Sequence, residues 1–204
     1  MPPKPKFTRE EIVAAALALV SERGPEALTS RELGARLGSS ARPIFTVFKN
    51  MEEVQQEVHR AAMDRFEQYA EKANHYTPAF KQFGMQMVLF AIEEPKLFQL
   101  LFMSENETAR SFEDLFQELG GSAQWCIGVI QRDYGLTEQE SMVLFRQLWI
   151  FTYGVSTISA TRACRFTEEE IMELLGQEFF AMMMFLKSGG LKLPIVHPVP
   201  REED

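Results

Sequence analysis

The sequence predicts an all-α fold, and three observations support this prediction. Apolar residues recur at the three- and four-residue spacing of a helix along almost the whole chain, whereas no bounded run of alternating apolar and polar residues predicts a strand. A Thr followed three residues later by a Glu, the pattern of a reciprocal capping box at a helix start, occurs four times. Gly24-Pro25 and Gly38 end two of the periodic segments. The four capping threonines are Thr8, Thr29, Thr137 and Thr167.

Three short helices are predicted in the first 50 residues. The first covers about 7–23, where the apolar residues fall on one helix face. Thr29 caps the second helix, and Ser40 caps a third over 40–48. Pro43 falls in the first turn of that third helix, where backbone N–H groups have no helical partner in any case. Two short helices joined by a tight turn with Gly form a helix-turn-helix motif.

The rest of the chain is predicted to form a helical bundle. A fourth helix starts at Asn50 and ends near Asn74, and we expect it to pack against both the head and the bundle. We place the domain boundary there, with an N-terminal domain over 1–50 and a C-terminal domain over 51–204. The tail from Ser188, with its Gly and Pro residues, is predicted to be irregular. Further helices are predicted at about 78–93, 95–103, 108–134 with a break at Gly120-Gly121, 138–164 and 168–187.

Charge is distributed unevenly between the two predicted domains. Residues 1–50 hold eight basic and five acidic residues, a net charge of +3, and the remaining 154 hold 13 basic and 24 acidic residues, a net charge of −11. This asymmetry predicts a basic module that meets a polyanion and an acidic body that does not. Residues 1–6, with Lys4 and Lys6, are predicted to form a flexible basic arm.

The predicted helix-turn-helix carries side chains suited to a DNA major groove. Ile44 and Phe48 are four residues apart and are expected to pack inward, which turns Arg42 and Phe45 outward. An Arg can donate two hydrogen bonds to a guanine edge, and apolar side chains touch thymine methyl groups. The alternative is a helical hairpin used only for packing. The candidates for base contacts are Ala41, Arg42, Pro43 and Phe45, and those for phosphate contacts are Thr29, Ser40, Thr46 and Lys49.

Over about residues 7–54, this segment resembles the tetracycline-repressor (TetR) family of transcriptional regulators. The stretch from Phe90 to Phe102 is similar to a C-terminal domain found in part of that family. The resemblance implies a homodimer with two helix-turn-helix heads on a palindromic operator, and a ligand cavity inside the C-terminal bundle. The residues that carry it are Phe7-Thr8, Ile12, Ala15-Ala16, Leu19, Gly24, Thr29, Leu33-Gly34, Leu37-Gly38, Ser40, Ile44-Phe45, Phe48-Lys49-Asn50 and Glu53-Val54.

Two positions depart from the pattern of the family. The family usually has Tyr where this chain has Phe45, and often Lys where this chain has Met51. Both of those family residues commonly contact phosphate, so their loss weakens the part of DNA binding that does not depend on sequence. Lys4, Lys6 and Lys49 are candidates to compensate.

The C-terminal domain is rich in side chains that adapt to apolar ligands. It holds ten Met and fourteen Phe residues, and Met tolerates irregular shapes. A cavity lined by such residues suits an apolar or aromatic molecule. The alternative is that each of these residues fills the core of the bundle. The candidates for ligand contact are Met85, Met87, Phe90, Phe98, Phe102, Trp125 and Tyr153.

The last two long helices, over about 138–187, are apolar on more than one face. An amphipathic helix needs one apolar stripe, so the extra apolar surface predicts a partner helix. Two such helices from each subunit can form a four-helix dimer interface, although burial within one chain remains an alternative. The residues behind this prediction are Phe145, Leu148, Trp149, Thr152, Tyr153, Ser156 and Ser159-Ala160 in the first helix and Phe179, Phe180, Met183, Met184 and Phe185 in the second.

Several other classes of protein find little support. The three histidines, His59, His75 and His197, belong to no metal-binding helix motif, and no nucleophile elbow or phosphate loop is present. Cys126 and Cys164 match no zinc or redox spacing, which favours a reducing compartment without disulfides. No apolar run approaches the roughly 20 residues of a membrane span. We therefore predict a cytoplasmic protein with no catalytic site, metal or cofactor.

Together these patterns predict a DNA-binding transcriptional regulator. A repressor that leaves a palindromic operator when a small, largely apolar molecule binds is the leading interpretation. The alternative is a helical protein that binds a small molecule or a partner and whose head does not read DNA.

Overall fold

A computed structural model of the chain describes residues 5–104 and 111–189. Over these ranges the chain forms α-helices and short 3₁₀ segments and contains no strand, which confirms the predicted all-α class. The 3₁₀ segments are Pro25–Ala27, Ile44–Thr46 and Lys72–His75. The helices are α1 (Arg9–Arg23), α2 (Ser30–Arg36), α3 (Met51–Glu71), α4 (Ala79–Glu93), α5 (Pro95–Phe102), α6 (Phe112–Glu118), α7 (Gly120–Tyr134), α8 (Glu138–Ala160) and α9 (Glu168–Lys187).

Hydrogen bonds at the helix starts confirm three of the four predicted capping boxes. Thr8, Thr137 and Thr167 each accept a hydrogen bond from the third backbone N–H, and the Glu at that position accepts one from the backbone N–H of the capping Thr. At Thr29 only half of the box forms. The carboxylate of Glu32 pairs instead with Arg23 at 2.6 Å, so the prediction of a reciprocal box there is wrong.

The predicted α-helix over 40–48 is also wrong, because this segment is a turn followed by the 3₁₀ helix Ile44–Thr46. Pro43 has no N–H to donate to the carbonyl of Ser39, and a residue before proline disfavours the α conformation. The remaining stretch is too short for a stable α-helix. Its backbone closes mainly through bonds three residues back, from Ile44 N–H to the Ala41 carbonyl (3.1 Å) and from Thr46 N–H to the Pro43 carbonyl (3.2 Å).

The helices predicted for the body are present with ends that shift by a few residues. The long segment predicted over 108–134 breaks as expected, at Leu119, which separates α6 from α7. The predicted start at 108 lies outside the described residues, as do most of the basic arm and the predicted irregular tail beyond Gly189. No helix within the described ranges is both long and apolar enough to cross a bilayer.

Helix α3 connects the head to the body. It packs against α1 on one side and against α4 and α5 on the other, as the sequence predicts. The apolar core continues through it, from Ile12 and Leu33 in the head to Phe66 in α3 and Phe90 in the body. A continuous core transmits displacement between its ends, since packed interiors have little free space.

A carboxylate provides a second connection between head and body. Glu94, between α4 and α5, accepts a hydrogen bond from the Ser21 hydroxyl of α1 at 2.8 Å and an ion pair from Arg65 of α3 at 2.8 Å. The Glu94 side chain is largely shielded from solvent. One group in the body therefore holds the last turn of α1 and the middle of α3 together.

Candidate nucleic-acid interface and ligand site

The segment after α2 has one buried side and one exposed side. Ile44 and Phe48 are fully buried, which confirms the inward pair predicted from their spacing. Arg42, Phe45 and Thr46 face outward, and the Phe45 side chain is 45% exposed. An exposed Phe beside an exposed Arg forms a surface poorly suited to water alone, because the apolar ring remains solvated.

Gly34 brings this segment close to α2. A Cβ atom at position 34 would lie 2.8 Å from the carbonyl carbon of Ser40 and 2.9 Å from the backbone nitrogen of Ala41. These are backbone atoms, which cannot rotate away as a flexible side chain does. The missing side chain of Gly34 therefore sets the distance between the two parts of the helix-turn-helix.

The structure places all eight predicted DNA-contact residues in one part of the head, between Thr29 and Lys49. Two of the hydroxyl groups already have intramolecular roles. The Thr29 hydroxyl caps α2 by accepting from Glu32 N–H at 3.2 Å, and the Thr46 hydroxyl donates to the Pro43 carbonyl at 2.6 Å. Each retains hydrogen-bonding capacity for a further partner. Ser40, Arg42 and Lys49 are exposed.

Ion pairs divide the basic residues of the head into two groups. Arg23 pairs with Glu32, and Arg36 makes a two-pronged pair with Glu22 at 2.6 and 2.7 Å. The hydrogen bond from Arg36 holds the pKa of Glu22 below its ordinary value. Within the described residues, an exposed second group makes no ion pair and can meet an external anion. That group is Arg31, Arg42, Lys49 and Lys6, whose ammonium donates to the Ser39 hydroxyl at 3.1 Å.

Arg31 is a candidate that the sequence analysis missed. It lies in the first turn of α2, two residues after Thr29, and its side chain is exposed. From the helix before the turn, sequence reasoning considered only its capping residue, Thr29, and otherwise it considered the segment after the turn. The signal that would have identified Arg31 is a basic residue near the start of the first helix of the helix-turn-helix.

Arg9 fixes the end of the segment over residues 40–48, called the reading segment below, to α3. Its guanidinium donates to Glu53 at 2.9 Å and to Glu57 at 3.1 Å, and it lies over the Phe48 ring with 4.4 Å to the centroid. Hydrogen bonds, from the Lys49 backbone N–H first and then from Arg9, lower the pKa of Glu53. The end of the reading segment is therefore held by packing and charge together.

The predicted ligand-contact residues separate into groups in the body. Phe98, Phe102 and Tyr153 lie together, with ring centroids 5.1 Å apart for the two Phe rings and 6.2 Å apart for Phe98 and Tyr153. Phe90 is fully buried, with its ring centroid 5.3 Å from that of Tyr69. The other three differ in their surroundings. Met85 belongs to a separate buried cluster, Met87 lines a cavity of about 40 Å³, and Trp125 lines one of about 230 Å³.

A cavity of about 1040 Å³ lies where α3, α5, α6 and α8 meet, and Phe102 and Tyr153 are two of its walls. Its volume suits a small organic molecule. The Tyr153 hydroxyl donates to the Phe102 carbonyl at 2.7 Å, which fixes both walls. The described residues that line this cavity are Gln56, His59, Arg60, Met63, Leu100, Leu101, Phe102, Ser104, Ser111, Phe112, Leu115, Leu119, Trp149, Ile150 and Tyr153.

Helices α8 and α9 carry exposed apolar side chains. Phe180 is 66% exposed, and Met184 and Phe185 lie beside it on the same helix. On α8 the exposed apolar residues are Ile150 and Ile158. Other residues behind the predicted partner face, including Phe145, Leu148 and Trp149, are buried within the chain.

The remaining candidate reactive groups do not assemble into a site. Cys126 is fully buried, and burial raises the pKa of its thiol well above the ordinary value. Cys164 is exposed and lies beyond the end of α8. Within the described ranges, no three His, Cys, Asp or Glu side chains come close enough together to hold a metal ion.

The chain combines an N-terminal helix-turn-helix with a C-terminal helical bundle, and one sequence family and several solved structures share parts of this arrangement. Residues 12–58 match the sequence profile described as bacterial regulatory proteins, tetR family. No curated protein matches the chain in sequence.

Solved structures share the fold over most of the chain. A TetR-like transcriptional regulator from Rhodococcus sp. RHA1 has a TM-score of 0.63 at 14% identity and covers 88% of this chain and 99% of its own. SmeT, the repressor of the Stenotrophomonas maltophilia multidrug efflux pump SmeDEF, has a TM-score of 0.50 at 20% identity and covers 98% of this chain and 100% of its own. The chain is therefore similar to the TetR family in sequence over residues 12–58 and to a solved TetR-like regulator in fold.

Proposed function

We propose that the protein is a homodimeric repressor that leaves a palindromic operator when a small molecule binds its C-terminal domain. The observation that carries this proposal is the outward side of the segment after α2, where exposed Arg42, Phe45 and Thr46 lie beside Lys49. Among the described residues neither Arg42 nor Lys49 forms an ion pair within 4.0 Å, although the charge of Lys49 helps to lower the pKa of nearby Glu53. Binding to a duplex would pair these charges with phosphates and base edges and would bury the exposed ring.

The base contacts in this proposal centre on Arg42. A guanidinium presents its donors as a rigid fork that matches the two acceptors on a guanine edge. Phe45 and Ala41 provide apolar contact for thymine methyl groups. Arg31, Lys49 and the basic arm around Lys6 supply phosphate contacts, which offsets the missing Tyr at Phe45 and the missing Lys at Met51.

Replacing Arg42 with Ala is expected to weaken binding to the operator by about 1–3 kcal/mol for each half-site and to relax the preference at one base pair. The measurement is a gel shift with the operator and with operators substituted at each position. Arg36→Ala is the matched control, because it removes an arginine of the same head whose guanidinium is already paired with Glu22. Unchanged affinity and preference in Arg42→Ala would remove Arg42 from the account.

The proposed dimer forms through the exposed apolar side chains of α8 and α9. Phe180, Met184 and Phe185 provide one patch, and Ile150 and Ile158 provide another on the preceding helix. Burial of apolar surface of this kind contributes about 25 cal/mol for each Å² removed from water. A two-fold axis brings each patch against its copy and presents two heads to the two half-sites of a palindrome.

Release in this proposal is a shift between two populations of head spacing. Two heads reach successive major grooves only when they lie about 34–36 Å apart. A ligand that binds more tightly to a state with a different tilt of α3 lowers DNA affinity. The size of this effect is set by the difference between the ligand's affinities for the two states. The support for coupling is the position of α3, which forms a wall of the 1040 Å³ cavity and carries the carboxylates that hold Arg9.

Selection of genomic DNA fragments with the purified protein, at low and at moderate salt, tests the proposal. The expected result is an enriched palindrome whose affinity falls steeply as salt rises, because phosphate contacts release counterions. A flat salt response with no enriched sequence favours the alternative, a binding protein whose head does not read DNA. Phe45 and Met51 are the residues that motivate that alternative.

A further inference from the structure

The cavity of about 1040 Å³ has two chemically different walls. Helices α5, α6 and α8 provide apolar and aromatic side chains, and α3 provides Gln56, His59 and Arg60. Of the described residues that line the cavity, none is acidic. Arg60 is therefore the one permanently charged side chain among these described lining residues, in a domain whose net charge is −11.

The aromatic wall is flat. The rings of Trp149 and Tyr153 are stacked, with centroids 5.2 Å apart and an interplanar angle of 22°. The Phe112 ring meets Trp149 edge-on at 6.0 Å. Since the Tyr153 hydroxyl is occupied by the Phe102 carbonyl, this wall offers ring faces more than hydrogen bonds. Ring faces of this kind favour a flat aromatic molecule.

Arg60 supplies the charge on the opposite wall. Its side chain is 69% exposed, and its ion pair among the described residues is with Glu57, three residues earlier on the same helix, at 2.8 Å. Such exposed pairs along one helix contribute little stability, so the guanidinium can turn towards a competing anion at small cost. A carboxylate matches the fork of an arginine better than any neutral group does.

We propose that this cavity takes an organic anion with a flat aromatic body. The body lies against Trp149 and Tyr153, and its carboxylate pairs with Arg60. The inference rests on the proposed function, because it names the chemical class of the molecule that regulates the protein.

The same arginine connects the cavity to the DNA-binding head. Glu57 Oε1 accepts both from Arg60 at 2.8 Å and from Arg9 at 3.1 Å, and Arg9 lies over the Phe48 ring. An anion that draws Arg60 away leaves Glu57 to Arg9 alone. Occupation of the cavity therefore changes the charge balance at the base of the reading segment.

Calorimetric titration of the full-length protein with 2-naphthoate and with its uncharged analogue 2-naphthamide tests the proposal. The two probes share one aromatic body, so their difference reports the contribution of the charge. We expect the wild-type protein to bind the acid about 10-fold more tightly than the amide. Arg60→Gln should remove this preference and leave binding of the amide unchanged, and Arg60→Lys should restore part of it.

Arg132→Gln is the matched control, because Arg132 also forms an ion pair with a nearby acid, Asp133. Neither of these two residues lines the cavity. This variant should bind both probes as the wild type does. Equal binding of acid and amide by the wild type, a preference that survives Arg60→Gln, or no binding of either probe would each overturn the proposal. DNA selection without any probe reports on the regulator itself, so failure of the ligand class is distinguishable from failure of the proposed function.

Discussion

Replacing Gly34 with Ala is expected to abolish specific DNA binding while the C-terminal domain remains folded. The new Cβ atom would lie 2.8 Å from the Ser40 carbonyl carbon, 2.9 Å from the Ala41 nitrogen and 3.0 Å from the Ser40 carbonyl oxygen. Atoms of a backbone move only when the whole segment moves, so α2 and the reading segment must separate. Overpacking of this kind costs about 1–3 kcal/mol, and it displaces Arg42 from its position on the head.

The measurement combines thermal unfolding by circular dichroism with binding to the selected operator. Gly128→Ala is the matched control, because a Cβ atom at position 128 in α7 meets nothing within 4 Å. That substitution should leave DNA affinity unchanged and raise stability slightly, since Ala is the better helix former by about 1 kcal/mol. Operator affinity of Gly34→Ala equal to that of the wild type would contradict the role assigned to this close approach.

Replacing Phe180 with Asp is expected to convert the proposed dimer to monomers and to lower operator affinity by more than Arg42→Ala does. Phe180 is 66% exposed within the chain, so its removal leaves the fold of the subunit intact. In a two-fold interface the substitution occurs twice and places two carboxylates in an apolar contact, where unpaired charge is costly. A monomer presents one head to the DNA and loses the advantage of binding two half-sites together.

Sedimentation velocity over a range of protein concentrations measures the first effect, and operator binding measures the second. Tyr76→Asp is the matched control, because Tyr76 is 53% exposed and lies in the turn before α4, outside α8 and α9. It should remain dimeric and bind DNA normally. A dimer of unchanged strength in Phe180→Asp would place the interface elsewhere on the molecule.

Local signals in the sequence predicted most of the secondary structure. Capping boxes at Thr8, Thr137 and Thr167 located three helix starts, because a cap depends on residues only three apart. The predicted third helix failed at Pro43, where a local constraint on the preceding residue outweighed the apolar spacing. That spacing still identified Ile44 and Phe48 as the inward pair, because the Phe48 N–H donates to the Ile44 carbonyl at 2.9 Å and so keeps one α-type bond between them.

The candidate ligand site was harder to predict, because it depends on which helices meet. Helical spacing separates inward from outward residues within one element, but it cannot say that α8 packs extensively on α4 and also borders α6. Met85 therefore lies in a different cluster from Phe98, although both are buried. Similarly, the apolar excess of α8 was recognised, but Phe145 faces inward and Ile150 faces outward. Arg60 was not considered, because its position on the cavity wall depends on the approach of α5 and α6 to α3.

The contact of Glu94 with Ser21 has a consequence for the construction of hybrid regulators. A head taken from another protein with this fold would have helices of the same shape as α1 and α2. It would carry a different residue in place of Ser21, opposite Glu94. Without a hydroxyl donor there, Glu94 would keep only Arg65, and apolar packing alone would hold the last turn of α1 against the body. Under the proposed mechanism, the expected outcome is a hybrid that binds its operator but is released less readily by a ligand, and restoring Ser at that one position is the first repair to make.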